Sequence, residues 1–420
     1  MPAARVYLYQ EQVDALLASA SPLNGRALGM SLDDGDVFHV YTEAPQTHFA
    51  GLPARVHVSV LPAPPDAAGR QALLQSWRGD AARIGVALWR GSRGAEGFAR
   101  VLSGPREGEA ALNIVPIRTD LGSRAKGLLE TDALAARSVA IAGLGSGGSM
   151  IAVALAQAGL GRIVLIDRDR LEVSNVARHA CGINDLGRHK TLAMRDLLRG
   201  KNPFMRIDTH DLDVTRDTEA VERAVAGVDL LVVATDSDPS RFVLNRLALK
   251  LGTTALFGRA LTRAAGGDVL RVRPHHGPCL ACIFTAQYLA SRPREISNRS
   301  EASEAEPAYV GADGLDAAIQ VGLASDIAPI SNMIVKLALL ELSRGRGGGL
   351  DALDEDLSTD FYTWANRREG AYAGFTPLGT YIDGLAILRW YGASVRRNPD
   401  CPACADRLRA YSADAAFFGA

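Results

Sequence analysis

Gly143-Leu144-Gly145-Ser146-Gly147-Gly148 follows a short apolar run and precedes a helical pattern. A G-x-G-x-x-G turn in that context lets the backbone approach a phosphate closely. The N–H groups of the helix start then favour the negative charge. Asp167 ends the next apolar run, nineteen residues after Gly148, where a carboxylate accepts hydrogen bonds from a ribose hydroxyl. A turn that needs glycine for packing alone would not explain Asp167. Taken alone, this pair of features predicts a nicotinamide or flavin enzyme.

The residues downstream argue against hydride transfer. Residues 167–178, DRDRLEVSNVAR, are dense in polar groups, and Gly187-Arg188-His189-Lys190 comes soon after. A later apolar run ends in Ala234-Thr235-Asp236-Ser237-Asp238. One sheet edge would thus gather Asp169, Asn175, Arg178, Lys190 and Asp236 beside a nucleotide. Splitting a triphosphate uses such a set, because cations neutralise phosphate charge and a carboxylate holds Mg²⁺. A solvated ion-pair rim competes as an explanation for any one of these residues. It is weak for the whole set in this order.

The five cysteines supply a second chemistry. Cys279-Leu280-Ala281-Cys282 and Cys401-Pro402-Ala403-Cys404 are two C-x-x-C pairs, and Cys181 is left over. Each pair is spaced to give two thiolates to one tetrahedral Zn²⁺. Together they would close a structural Cys₄ site that ties the C-terminal segment to the core. The N-terminus has no basic region followed by an apolar stretch, so a cytoplasmic chain with reduced thiols is expected. That favours metal over a disulfide or redox pair.

The elements that must position these groups are legible in the patterning. Strands are expected at 139–142, 163–167, 230–234 and 254–257, and helices at 121–136, 148–158, 190–198, 241–251 and 327–342. Alternation of short apolar strands with helices implies a doubly wound, mostly parallel α/β sheet. Residues 1–115 read as a separate, smaller α/β domain, with strands at 37–41, 54–60, 83–88 and 111–117 and a helix at 70–77. The nucleotide-binding domain then spans 116–420. Residues 291–307 read as a polar mobile loop. The glycines of 345–349 break the chain before an irregular C-terminal portion.

Composition excludes several classes. Hydrophobic residues make up 47% and charged ones 22%, which rules out a disordered chain. With 46 basic against 47 acidic side chains, nothing warrants a nucleic-acid partner. Residues 138–161 carry no charge and are long enough to cross a bilayer, but six glycines break them into a strand, a turn and a helix. No membrane partner is expected. Only five of the basic residues are lysines, which makes Lys190 stand out inside a motif.

The segments GLGSGGS, IDRDRLEVSNVARH, GRHKT and ATDSD, with the cysteine pairs, resemble the E1-like adenylyltransferases of the ThiF and MoeB type. The resemblance covers about residues 118–404. It implies a Rossmann-like adenylation domain that uses MgATP to adenylate the C-terminal carboxylate of a ubiquitin-like or sulfur-carrier protein. By the same resemblance, Gly143, Gly145 and Gly148 cradle the nucleotide and Asp167 holds the ribose. Asp169 lies beside it. Asn175, Arg178 and Lys190 contact phosphates, and Asp236 binds Mg²⁺. Arg118 and Arg124 are both candidates for an arginine that reaches the γ-phosphate across a homodimer. The four paired cysteines match the family's zinc site. A bacterial conjugation pathway with an E2-like partner, and a role in antiviral defence, follow from the resemblance alone.

Some alternatives stay open in the sequence. Cys181, three residues after Arg178, is a thioester acceptor, a bystander to direct transfer, or a buried core thiol. Many E1 enzymes carry the acceptor on a loop after the first cysteine pair, and residues 291–307 contain none. Residues 57–66, HVSVLPAPPD, faintly resemble the metal loop of JAB/JAMM proteases but lack the second histidine, so either an inactive relative or an unrelated domain fits. Rival functions are adenylation of a small or tRNA-linked carboxylate, a non-catalytic E1-like scaffold, and a nicotinamide oxidoreductase.

Overall fold

The apolar runs from residue 138 onward form one eight-stranded sheet. Its strands are β8 (Ser138–Ala142), β9 (Arg162–Ile166), β10 (Arg206–His210), β11 (Leu230–Val233), β12 (Thr254–Ala260), β13 (Gly266–Val272), β14 (Phe361–Ala365) and β15 (Arg389–Ala393). Seven earlier strands form a separate sheet. The computed structural model describes residues 3–19, 24–33, 36–41, 52–92, 94–104, 106–125, 127–129, 131–285, 322–345, 350–378 and 384–405. These fall into two units, Met1–Arg124 and Ala125–Ala420.

In the second unit the strand order is β10-β9-β8-β11-β12-β13-β14-β15. The five strands from β10 to β12 are parallel, and β13, β14 and β15 extend the sheet antiparallel. Every residue of β8 and of β11 is buried, which is what a central parallel strand covered on both faces requires. Because β8 sits between β9 and β11, the loops that leave β8 and β11 diverge and open a crevice at their C-terminal ends.

Two apolar layers clamp this sheet. On one face α5 (Ser146–Gln157) and α11 (Ala324–Ser343) pack Ile151, Leu155, Ile334 and Leu337 against Val139, Ile141 and Leu256. On the other, α8 (Thr218–Val225) and α9 (Asp238–Leu251) pack Val221, Leu244 and Ala248 against Val233, Ala255 and Phe257. Each large apolar side chain among these contributes about 1.5–3 kcal/mol when fully buried. α9 begins with Ser237, whose hydroxyl accepts from the Ser240 amide, and ends at Gly252 in the left-handed conformation. The fully buried Arg271 on β13 donates to Asp360, Glu341 and the carbonyls of Leu357 and Thr359, all at 3.1 Å or less.

The first unit is a closed barrel in the order β1-β3-β2-β4-β5-β6-β7. Its strands are β1 (Arg5–Tyr9), β2 (Asn24–Leu32), β3 (Val37–Tyr41), β4 (Leu52–Leu61), β5 (Ile84–Gly91), β6 (Gly94–Val101) and β7 (Gly108–Val115). Val6, Leu8, Phe38, Val40, Val56, Val58, Ile84 and Val86 fill its interior. The helices α1 (Gln10–Ala18) and α2 (Ala67–Gly79) accompany it. In the segment that resembles a metal loop, each polar group already has a structural task. His57 pairs with Asp80 at 2.7 Å, Ser59 accepts from the Trp77 indole, and Asp66 caps α2 through the Gly69 amide.

Several expectations need correction. The helix expected at 121–136 reduces to α4 (Thr131–Ala135), because the chain turns at 122–125 and again at 127–129, where Gly127 has φ +88°. The C-terminal portion is not irregular: β14 and β15 lie in it and widen the sheet. Strands β2, β6, β10 and β13 carry no strong apolar run of their own and gain their place through pairing, whereas β1 carries one in Val6-Tyr7-Leu8-Tyr9. The polar loop expected at 291–307 lies outside the described residues.

Candidate functional site

The loops at the crevice line a cavity of about 710 Å³. Gly143 has φ +89°, and a Cβ there would sit 2.6 Å from the Ala234 carbonyl oxygen, so only glycine lets the β8 and β11 ends approach this closely. A Cβ at Gly148 would lie 1.9 Å from the Gly143 carbonyl oxygen, which makes Gly148 a packing residue. A Cβ at Gly145 would meet nothing within 4 Å, so this glycine faces open space at the N-terminus of α5. The loop therefore has one glycine for the turn, one for packing and one facing free volume of the kind a phosphate needs.

Asp167 braces the same loop. Its carboxylate accepts from the Leu144 amide at 2.6 Å and from the Asp169 amide at 2.8 Å. Burial pushes its pKa above the ordinary carboxylate value, against the pull of Lys190. Each oxygen keeps a second acceptor position for a ribose hydroxyl. Lys190 opens α7 (Lys190–Arg199), is buried, and donates to Asp169 at 2.9 Å. Burial works against its charge, but Asp167, Asp169 and Asp236 outweigh it and raise the ammonium's pKa. The lysine is thus held as a cation inside the cavity wall.

Asn175 lies in the short helix α6 (Val173–Val176), where its side chain accepts from the Glu172 amide as part of a capping box. That bond leaves its NH₂ as the donor end. Arg178 follows, half-buried, and lines the cavity with Asn175, Lys190 and exposed Asp236. Asp236 is set at the crevice by the end of β11, beside Asp238, which is already paired with Arg241 at 2.8 Å. Gly143, Gly145, Asp167, Asp169, Asn175, Arg178, Lys190 and Asp236 therefore surround one cavity, and Gly148 packs behind it. Sequence patterning did not single out His179, Ser240, Arg241 or Arg259, which also line it. Arg241 could have been found, since it stands five residues after Asp236 on the same strand-to-helix turn. Arg259 has no such signal.

Arg118 and Arg124 are both exposed and belong to the first unit; Arg118 lies in α3 (Ile117–Leu121), with its amide bonded to Glu11. Cys181 is 1% exposed in the core, with Sγ 3.5 Å from the Met194 sulfur. Burial, with Asp185 adding to it, pushes its thiol up to about 12. A thioester nucleophile needs access and a lowered pKa, and Cys181 has neither.

The four remaining cysteines converge. Cys279 caps the short helix α10 (Leu280–Ile283), which turns the chain so that Cys282 faces the same point. Cys279 and Cys401, like Cys282 and Cys404, have sulfurs 3.6 Å apart, and Cys279 and Cys282 lie at 3.8 Å. Tetrahedral Zn–S bonds of about 2.3 Å require sulfur spacings of roughly 3.8 Å, so the donor set fits zinc. Hydrogen bonding from Cys279, against burial, lowers Cys282 to about 4. The Arg397 guanidinium donates to the Cys404 sulfur at 3.4 Å, as suits a thiolate-rich centre. No helix among the described residues is long and apolar enough to cross a membrane.

The chain is similar to several known proteins. A sulfur carrier protein adenylyltransferase of Thermus thermophilus is 32% identical over 152 residues, which cover 35% of this chain and 55% of that protein. Ubiquitin-like modifier-activating enzyme 5 of Oryza sativa subsp. japonica is 29% identical over 156 residues, 34% of this chain and 37% of that one. The chain thus spans about half or less of these relatives' lengths. The crystal structure of E. coli MccB aligns with a TM-score of 0.47 at 17% identity, covering 66% of this chain and 67% of that one. Residues 119–347, more than half of the chain, match the model of the ThiF family, and the chain belongs to that family.

Proposed function

We propose that this chain adenylates the C-terminal carboxylate of a small ubiquitin-like or sulfur-carrier protein, using MgATP and releasing pyrophosphate. The observation that carries this reading is the convergence of the glycine loop, Asp167, Lys190 and Asp236 on one cavity. A carboxylate is a poor electrophile. Its oxygen attacks the α-phosphorus, the bond to pyrophosphate breaks, and an acyl-adenylate with a good leaving group results. Two anions must be held against each other, so cations have to line the site before the reactants meet.

In this reading Asp167 holds the ribose, with Asp169 fixing Lys190. Lys190, Arg178 and the Asn175 amide contact the phosphates. Asp236 is the carboxylate for Mg²⁺, which would neutralise phosphate charge when bound. Arg118 or Arg124 reaches the γ-phosphate across a homodimer. The cysteine cluster holds a structural zinc and takes no part in the chemistry. The buried Cys181 supports direct hand-over of the adenylate to an acceptor, without a thioester on that residue. An E2-like acceptor in a bacterial conjugation pathway, with antiviral defence as its setting, extends the family resemblance. Residues 1–115 would then serve binding and not catalysis.

ATP–pyrophosphate exchange with candidate carrier proteins tests the reading. Exchange should depend on one of them and disappear in Asp236→Ala. Exchange that survives Asp236→Ala would remove the magnesium assignment. Absence of exchange with every carrier encoded near this gene would remove the function.

A further inference from the structure

Arg259 stands near the end of β12 with its side chain only 2% exposed. Its Nε and Nη2 have no hydrogen-bond partner among the described residues. The Asp268 carboxylate is 3.8 Å from Nη2, beyond hydrogen-bonding range, and its other oxygen accepts from the Thr363 hydroxyl at 3.1 Å. The guanidinium carbon lies 4.1 Å from the centre of the Phe284 ring. Arg271, twelve residues on, is equally buried but fills its donors with four hydrogen bonds. This fold therefore satisfies a buried guanidinium where the task is structural, and it leaves Arg259 wanting. Buried donors without acceptors cost stability, and such sites are places where a ligand is received.

The nature of the shortage indicates the ligand. Asp268 and the Phe284 ring face already balance much of the charge. What is missing is hydrogen-bond acceptors on a fork of fixed geometry. Arg259 lines the same cavity as Lys190 and Asp236, and Ala260 and Leu261 beside it continue the wall. Uncharged acceptors in a row are what the backbone of an extended peptide offers. We infer that Arg259 grips main-chain carbonyl oxygens of the C-terminal tail that carries the carboxylate, an inference that rests on the proposed adenylation. It is a substrate-binding residue that orients the tail, while the nucleotide is held by other groups.

The test uses the full chain and a synthetic hexapeptide ending in Gly-Gly as the probe. Titration calorimetry should show peptide binding to the wild type and about tenfold weaker binding to Arg259→Met, with Arg259→Lys between them. Affinity for a non-hydrolysable ATP analogue should stay within about twofold, since lost donors on the tail side do not touch the phosphates. Arg259→Met should melt at the same temperature as the wild type or higher, because an unfilled buried guanidinium is removed. Equal peptide affinity in wild type and variant would overturn the inference, as would no binding to the wild type. A loss of nucleotide affinity would reassign the donors to phosphate, and a lowered melting temperature with unchanged peptide binding would make the residue structural. Pyrophosphate exchange run beside these titrations separates the two readings. Peptide that binds through Arg259 while no carrier protein supports exchange would defeat adenylation and leave the binding role standing.

Discussion

His179 is hydrogen-bonded to Leu144, with Nε2 2.7 Å from the Leu144 carbonyl oxygen. Its other ring nitrogen, Nδ1, accepts from the Cys181 amide at 2.9 Å. Together these bonds require a neutral ring with its proton on Nε2. One side chain thus fastens the middle of the glycine loop to the segment that carries Arg178.

These two bonds make the site sensitive to pH. Burial, with Lys190 adding to it, holds the His179 pKa below its ordinary 6.5. A histidine depressed in the folded state contributes stability that is present above pH 6.5 and lost as pH falls through the folded value. Chemical denaturation between pH 7.5 and about 5 should show the wild type weakening as acid is added. His179→Ala should start about 1–3 kcal/mol less stable and show a shallower slope. An unchanged slope in the variant would place the pH response elsewhere.

Lys190→Ala should lower pyrophosphate exchange by about 10²–10³-fold, as removal of a preorganised charge at a phosphoryl centre does. The same change strands Asp167, whose raised pKa is already opposed by the lysine. Without that cation the carboxyl should titrate still higher. Near-normal exchange by Lys190→Ala would exclude it from the reaction.

Metal analysis checks the thiol cluster. The purified chain should hold about one zinc per chain, and Cys282→Ala or Cys404→Ala should lose it. Chelation should lower the melting temperature, because it frees a closure of 122 residues between Cys279 and Cys401. Full stability in zinc-free protein would mean that the thiols hold the fold unaided.

Cys181 offers the opposite expectation. A thiol raised to about 12 and 1% exposed should resist alkylation in the folded protein at pH 8 and react only after unfolding. Cys181→Ala should cost roughly 1 kcal/mol, the scale of removing a small buried group, and retain exchange. Loss of activity with stability intact would return it to the list of nucleophiles.

The parts of the site that were legible in the sequence share one property: their function depends on local backbone order. Gly143, Gly145 and Gly148 are readable because a strand-to-helix turn imposes fixed spacing, and Asp167 because the next parallel strand must end beside that turn. The C-x-x-C pairs are readable because one knuckle supplies two ligands. By contrast, β10 with its sequence RIDTH and β13 with GGDVLRV become strands through their neighbours, β9 in one case and β12 and β14 in the other. The helix expected at 121–136 fails for the matching reason, since a favourable apolar pattern did not outweigh turns around Gly122 and Gly127.

By itself, then, the sequence determined the doubly wound plan, the glycine turn after β8 and the two cysteine pairs, because each follows from periodicity or short spacing along the chain. Only the tertiary structure decided that Cys181 is a core thiol, that His179 locks the loop, and that Arg259 lacks the acceptors Arg271 enjoys. Burial and hydrogen-bond satisfaction depend on which distant segments arrive at a side chain. That information appears only when segments apart in the chain, such as those carrying Gly143 and Ile166 at the ends of β8 and β9, close on one another.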